Sequence, residues 1–182
     1  MLLKIGQRPD HGFDEPLGLL SDCHRRIERF LHVLGEITRQ VAGAPLGDGQ
    51  RAQLESALAY FATAAPRHTA DEEQSLFPRL KASDDATAAA VLEVVEKLER
   101  DHGVADDHHR AVDGIIRQWL SSGRLGPDAV SELGTRLAAL EAIYQSHIAV
   151  EDRELFPIAA RVLSPGQLQE IGREMAARRR TT

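Results

Sequence analysis

Two segments of the chain pair a histidine with a glutamate four residues later, as His68-Thr-Ala-Asp-Glu72 and as His147-Ile-Ala-Val-Glu151. On an α-helix four residues amount to about 40° of rotation and roughly 6 Å of rise, so each pair leans toward one point, as two ligands of one metal ion must. Both segments run on into Leu-Phe-Pro, at Leu76-Phe77-Pro78 and Leu155-Phe156-Pro157. The repeat also extends upstream. His24 precedes His68 by 44 residues and His102 precedes His147 by 45. Each half of the chain therefore supplies one lone histidine and one His-x-x-x-Glu pair. Internal repetition of this kind predicts a two-fold arrangement with six candidate metal ligands at its centre: His24, His68, Glu72, His102, His147 and Glu151.

Such ligands need rigid elements, and the apolar pattern supplies them. Breaks at Gly43 to Gly49, Ser83-Asp84-Asp85 and Ser121 to Pro127 divide the sequence after Pro16 into four long segments. Leu17, Leu20, His24, Ile27, Leu31 and Leu34 follow steps of three and four, the spacing of one buried helical stripe. Stripes of the same spacing run through Leu54, Leu58, Phe61, Ala65, His68 and Glu72, through Val95, Leu98, His102, Ala105, His109 and Val112, and through Leu133, Leu137, Leu140, Tyr144, His147 and Glu151. No segment alternates with period two. The pattern predicts an all-α protein, an antiparallel up-down-up-down four-helix bundle with its core over about residues 16–162 and one histidine on each inward face. Ser164-Pro165-Gly166-Gln167 has the signature of a capping box and predicts a short extra helix over about 165–179. Pro66 predicts a kink just before His68, and Pro78 and Pro157 predict a bend or an end after each ligand turn.

Composition agrees with this architecture. A length of 182 residues fits one domain, and 42% hydrophobic but only 4% aromatic residues imply a core of Leu, Val, Ile and Ala. A net charge of -6, with no basic stripe inside the chain, argues against a nucleic-acid partner. Arg178-Arg179-Arg180 reads as a solvated run complementing the dipole at the end of the last helix. No stretch approaches the ~20 apolar residues that span a bilayer, so no membrane role is expected. The single cysteine, Cys23, reads as a structural thiol in a reducing compartment, and with no apolar leader in Met1-Leu-Leu-Lys-Ile the expected location is the cytoplasm.

A single histidine on an apolar face is ordinarily a hydrogen-bonded core residue. Four of them on four stripes, at matched separations and with two glutamates at one offset, go beyond core packing. A buried glutamate without a partner would also cost several kcal/mol. A ferritin-like iron site would instead need Glu-x-x-His on two helices, and only Glu99-Arg-Asp-His102 has that form.

The pattern His, His-x-x-x-Glu, His, His-x-x-x-Glu from His24 to Pro157, with Leu-Phe-Pro after each pair, resembles the hemerythrin-like or HHE cation-binding domains. The resemblance implies a non-haem centre of two iron ions with a bridging oxo or hydroxo group inside a four-helix bundle. His24 and His68 would bind one iron and His102 and His147 the other, with Glu72 and Glu151 bridging both. Zinc or manganese would suit the same donors. Oxygen-carrying hemerythrins have a further histidine four residues after the third-helix ligand, where this chain has Asp106. The six-ligand set looks more like that of bacterial proteins of iron-centre repair and nitric-oxide stress, whose cysteine-bearing N-terminal domain has no counterpart in this sequence.

The implied functions are binding or sensing of oxygen, nitric oxide or peroxide, handling of iron, or oxidoreductase turnover of such a ligand with a redox or signalling protein partner. The remaining polar residues read as structural. Asp106 and Glu28 fall on charged faces, His32 and His108 lie off the stripes, and His11 precedes the first helix, so these three histidines read as surface residues. His109 and Tyr144 lie on stripes, where packing is favoured over a part in proton transfer or ligand binding.

Overall fold

A computed structural model describes residues 11–180. Among these, every regular element is helical: α1 (Pro16–Val41), α2 (Asp48–Asp71), a π-helical turn π1 (Glu72–Leu76), α3 (Phe77–Lys81), α4 (Ala86–Ala89), α5 (Leu92–Ser122), α6 (Pro127–Val150), a second π-turn π2 (Glu151–Leu155), α7 (Phe156–Val162) and α8 (Pro165–Arg180). α1 packs on α2 and α6, and α5 packs on α6 and α2, which is a four-helix bundle. His24 stands near the start of α1 and His68 near the end of α2, so only antiparallel neighbours can bring them to one level.

Helix ends follow local chemistry. Pro opens α1, α6 and α8 at a position whose N–H has no helical acceptor. Ser164 and Gln167 form the capping box foreseen for α8, with Ser164 N donating to Gln167 Oε1 at 2.9 Å and Gln167 N to Ser164 Oγ at 3.3 Å. After α1 the chain turns through Ala42 and Gly43 at positive φ. A Cβ on Gly43 would lie 2.7 Å from Leu125 O, so glycine lets this loop close on the α5–α6 loop, where Leu125 N donates to Gly43 O. Trp119, fully buried, ties the same end by donating from Nε1 to Ala44 O at 3.0 Å.

Three features go beyond the sequence pattern. The third long segment does not begin at Ser83. Asp85 caps a separate short helix by accepting from Thr87 N, and α5 starts only at Leu92. α2 stays helical through Pro66, and a wide turn follows at Glu72. There the helix widens by one residue and Phe77 N donates to Glu72 O, five residues back, just as Phe156 N donates to Glu151 O in the second copy. The next residue in each case is a proline, which has no N–H to donate and whose ring crowds the carbonyl four residues back. One wide turn absorbs it, and the helix continues instead of ending. π-turns concentrate at functional sites.

The core falls into two apolar layers. One is built around Ile27, Leu31, Leu34, Leu54, Ile116, Trp119, Leu133 and Leu140. The other combines Leu20, Leu76, Phe77, Leu98, Leu155 and Phe156 with Ile171 and Met175 of α8, which closes that end of the bundle. The six candidate ligands lie between the layers.

Candidate metal centre

All six residues converge. His24, His68, Glu72 and Glu151 offer ligand atoms within 4.8 Å of one another, and so do Glu72, His102, His147 and Glu151. The two sets share both glutamates. Glu72 Oε1 lies 3.3 Å from His68 Nε2 and 3.9 Å from His24 Nε2, while its Oε2 lies 3.4 Å from His102 Nε2. Glu151 Oε2 lies 3.1 Å from His24 Nε2 and 3.2 Å from His147 Nε2. Both carboxylates are completely buried, yet none of their four oxygens has a hydrogen bond, and Nε2 of His24 and of His147 are orphaned in the same way. Buried polar atoms are nearly always paired, so a group of such atoms gathered at one point fits the donor set of a cation.

The electrostatics show what the carboxylates demand. Burial pushes Glu72 up, but the surrounding imidazoles of His68, His102 and His24 more than reverse this and hold its carboxyl well below the usual range. Burial opposes protonation of His24, yet its contact with Asp152 and the nearby negative charge of Glu151 and Glu72 push it up to about 12; for His102, Glu72 and Glu73 outweigh burial and give about 9. His68 goes the other way, to about 4, because burial outweighs Glu72. The buried carboxylates thus favour positive charge on His24 and His102. A divalent cation supplies the same compensation with more charge.

The π-turns add a set of supporting contacts that repeats between the halves. In each copy the residue after the shared glutamate is acidic and reaches the lone histidine of a neighbouring helix. Glu73 Oε1 lies 2.8 Å from His102 Nδ1, and Asp152 Oδ1 lies 3.0 Å from His24 Nδ1. In each copy the phenylalanine closing the turn stacks on that same ring: Phe77 on His102 with centroids 6.3 Å apart, Phe156 on His24 with centroids 5.5 Å apart. Acid on Nδ1 fixes the proton there and turns Nε2 inward. Asp101 Oδ2 stands 3.7 Å from His147 Nδ1, whereas His68 Nδ1 has no hydrogen-bond partner. The sequence held the clue, since Glu73 and Asp152 occupy equivalent places in the repeat.

The other candidates separate clearly. Asp106 is exposed and pairs with Arg110 at 2.6 Å, outside both donor sets, and Glu28 is exposed as well. Cys23 is buried, and its Sγ accepts from Arg26 Nη2 at 3.1 Å. His11 is not a free surface residue, because its Nδ1 lies 3.1 Å from the buried carboxylate of Asp22. Nor are the C-terminal arginines simply solvated: Arg178 Nη1 and Arg179 Nη2 clasp the fully buried Asp71, next in the chain to Glu72, at 2.8 and 2.7 Å. Arg178 also donates to Ser75 Oγ, and Arg79 pairs with Glu174, so α8 is fastened to the first π-turn. None of the described helices is long and apolar enough to cross a membrane.

A bundle whose four helices each give a histidine to a shared glutamate pair defines a metal-binding protein of the hemerythrin type. The chain belongs to the hemerythrin HHE cation-binding family, whose domain matches residues 15–159. It is also similar to an uncharacterized protein of Haemophilus influenzae, 29% identical over 167 residues that cover 92% of this chain and 91% of that one.

Proposed function

We propose that the chain is a di-iron protein in which His24 and His68 hold one iron, His102 and His147 the other, and Glu72 and Glu151 bridge them, together with a bridging oxo or hydroxo group. The observation that carries this reading is the pair of four-residue donor sets sharing two buried carboxylates with no hydrogen bonds. Imidazole with carboxylate suits iron, and no thiolate stands in either set to favour a softer ion. Each metal would receive two nitrogens and two carboxylate oxygens, so a bridging oxygen leaves room for an exogenous ligand. The function this supports is binding or sensing of oxygen, nitric oxide or peroxide, or the handling of iron. The chain's own residues hold the site between two apolar layers and orient the imidazoles through Glu73 and Asp152. Turnover of peroxide or nitric oxide is the second reading, favoured by a cavity beside His102 that His109 and Tyr144 also line.

The test is metal analysis and absorption spectroscopy of protein reconstituted anaerobically with ferrous ion and then oxidised. About two irons per chain, with near-ultraviolet charge-transfer bands, is the expected result. A colourless zinc protein that refuses iron would overturn the proposal. Stoichiometric reversible binding of an added ligand supports a binding module, and steady consumption of it with a reductant supports an enzyme. In the same preparation Glu73→Ala and Asp152→Ala each weaken metal affinity about 10- to 100-fold in competition with a chromophoric chelator. Unchanged affinity in both would show that the acids at Nδ1 have no part in orienting the ligands.

A further inference from the structure

Between α2, α5 and α6 lies a cavity of about 200 Å³ that His102 lines together with Ala105, His109 and Tyr144. Outside it a groove of about 540 Å³ runs between α2 and α5, and Phe61, Pro66, Asp106 and His109 belong to the walls of both. The cavity thus joins the surface to one of the candidate metal ligands. Its volume is that of about seven water-sized groups, at about 30 Å³ each. That accommodates a molecule of two or three heavy atoms together with a few waters.

A hydrogen-bonded polar pair faces this space, with Thr69 and the exposed Asp106 also on its lining. His109 Nε2 lies 3.0 Å from Tyr144 Oη, and the His109 ring is held against Phe61 with centroids 4.4 Å apart. Tyr144 stands beside the site, its ring centroid 6.4 Å from that of His147. Burial lowers His109 to about 4 and pushes the Tyr144 phenol up, so the pair is neutral and the phenol keeps its proton. In the tautomer with its proton on Nε2, His109 donates to the phenol oxygen and leaves the Tyr144 O–H free to donate into the cavity.

The internal repeat shows that this arrangement belongs to one half only. The residue three after His102 is Ala105, but three after His24 stands Ile27; seven after them stand His109 and Leu31; three before His147 and His68 stand Tyr144 and Ala65. Ile27 and Leu31 are packed into the core, whereas their small and polar counterparts line the cavity. The two halves have the same ligand types and different surroundings.

We propose that this cavity admits a small anion of two or three heavy atoms to the His102–His147 side of the centre, with Tyr144, positioned by His109, donating a hydrogen bond to the anion. The inference rests on the two-metal reading above and adds which side is open and what recognises the ligand there.

The test uses the iron-loaded, oxidised full chain, with azide as the probe titrated by absorbance in the wild type, Ala105→Ile and Tyr144→Phe, and with iron content and thermal midpoint measured alongside. Ala105→Ile, which copies the first half of the repeat, is expected to keep its iron and to weaken azide binding at least about tenfold. Tyr144→Phe keeps iron and midpoint, weakens azide roughly three- to tenfold and shifts the azide charge-transfer band, which a packing change alone would not do. If Ala105→Ile does not fold, Tyr144→Phe decides alone. Iron-loaded variants with wild-type azide affinity overturn this inference and leave the metal reading intact, whereas a wild type that takes up no iron removes both.

Discussion

Glu151→Gln abolishes iron uptake while leaving the metal-free protein about as stable as the parent, or more so. Glu151 is completely buried and belongs to both donor sets, so the substitution weakens both halves of the centre at once. In the metal-free protein the same carboxylate is a burden. A buried carboxylate costs several kcal/mol of desolvation even after relaxation, and here its oxygens recover no hydrogen bonds. What offsets that cost is the charge on His24 at 3.1 Å, with the His147 imidazole at 3.2 Å. Glutamine has nearly the same shape and no charge. It removes the ionic desolvation and leaves an amide whose own unmet hydrogen bonds cost about 1–3 kcal/mol. The two effects are similar in size and opposite in sign.

The measurement is a pair of melting curves, with and without ferrous ion under anaerobic conditions. A ligand present at a thousand times its Kd stabilises by about 4 kcal/mol. For a chain of this size each kcal/mol moves the midpoint by about 2–4 °C, so the wild type should rise by roughly 8–16 °C. Glu151→Gln should show no rise and a metal-free midpoint within about 4 °C of the parent. If the variant loads two irons normally, the shared-glutamate assignment is wrong. If it collapses without metal, Glu151 serves the fold and not a cation.

The convergence of the six residues was legible because it depends only on helical periodicity: a ligand pair four residues apart cannot avoid sharing a face, and four stripes with one histidine each can bury them only together. The bundle and the α8 capping box followed from equally local rules. What escaped were consequences of the backbone and of distant partners. The prolines after Leu-Phe signalled a disturbance, but whether a helix bends, stops or widens depends on where its carbonyls find donors, and the answer was a π-turn at Glu72 and again at Glu151. Nothing local marked Glu73 and Asp152, because their partners are on other helices. His109 and Tyr144 carried the spacing of core residues, and only the small side chain of Ala105 between α2 and α5 turns their position into a cavity. The terminal arginines were misread for the same reason: a basic run suits a helix end, and nothing local reveals a buried aspartate more than a hundred residues earlier.

That aspartate sets the other large expected effect. The double substitution Arg178→Ala with Arg179→Ala destabilises the protein by about 3 kcal/mol, because stripping the partners from a buried charge costs about 3–5 kcal/mol and these arginines are partly open to water. Asp71 has no exposed side-chain surface, while Arg178 and Arg179 are 20% and 24% exposed. The midpoint should fall by roughly 6–12 °C. Ile171 and Met175 remain to hold α8 by apolar contact, so the helix stays attached and the loss reports the stranded carboxylate. Asp71→Asn tests this directly. In the doubly substituted background it should restore at least about half of the lost stability, since an amide can be buried at far lower cost than a charge. In the wild-type background it should cost less than the double substitution, since the arginines can turn to solvent. Arg178 also reaches Ser75 in the π-turn that begins at Glu72. Loosening this clasp should therefore also speed iron loss to a chelator, and Asp71→Asn should not restore that rate as fully as it restores the midpoint, because the contact to Ser75 is still missing. A double variant that melts with the wild type would mean that α8 is held by its apolar face alone.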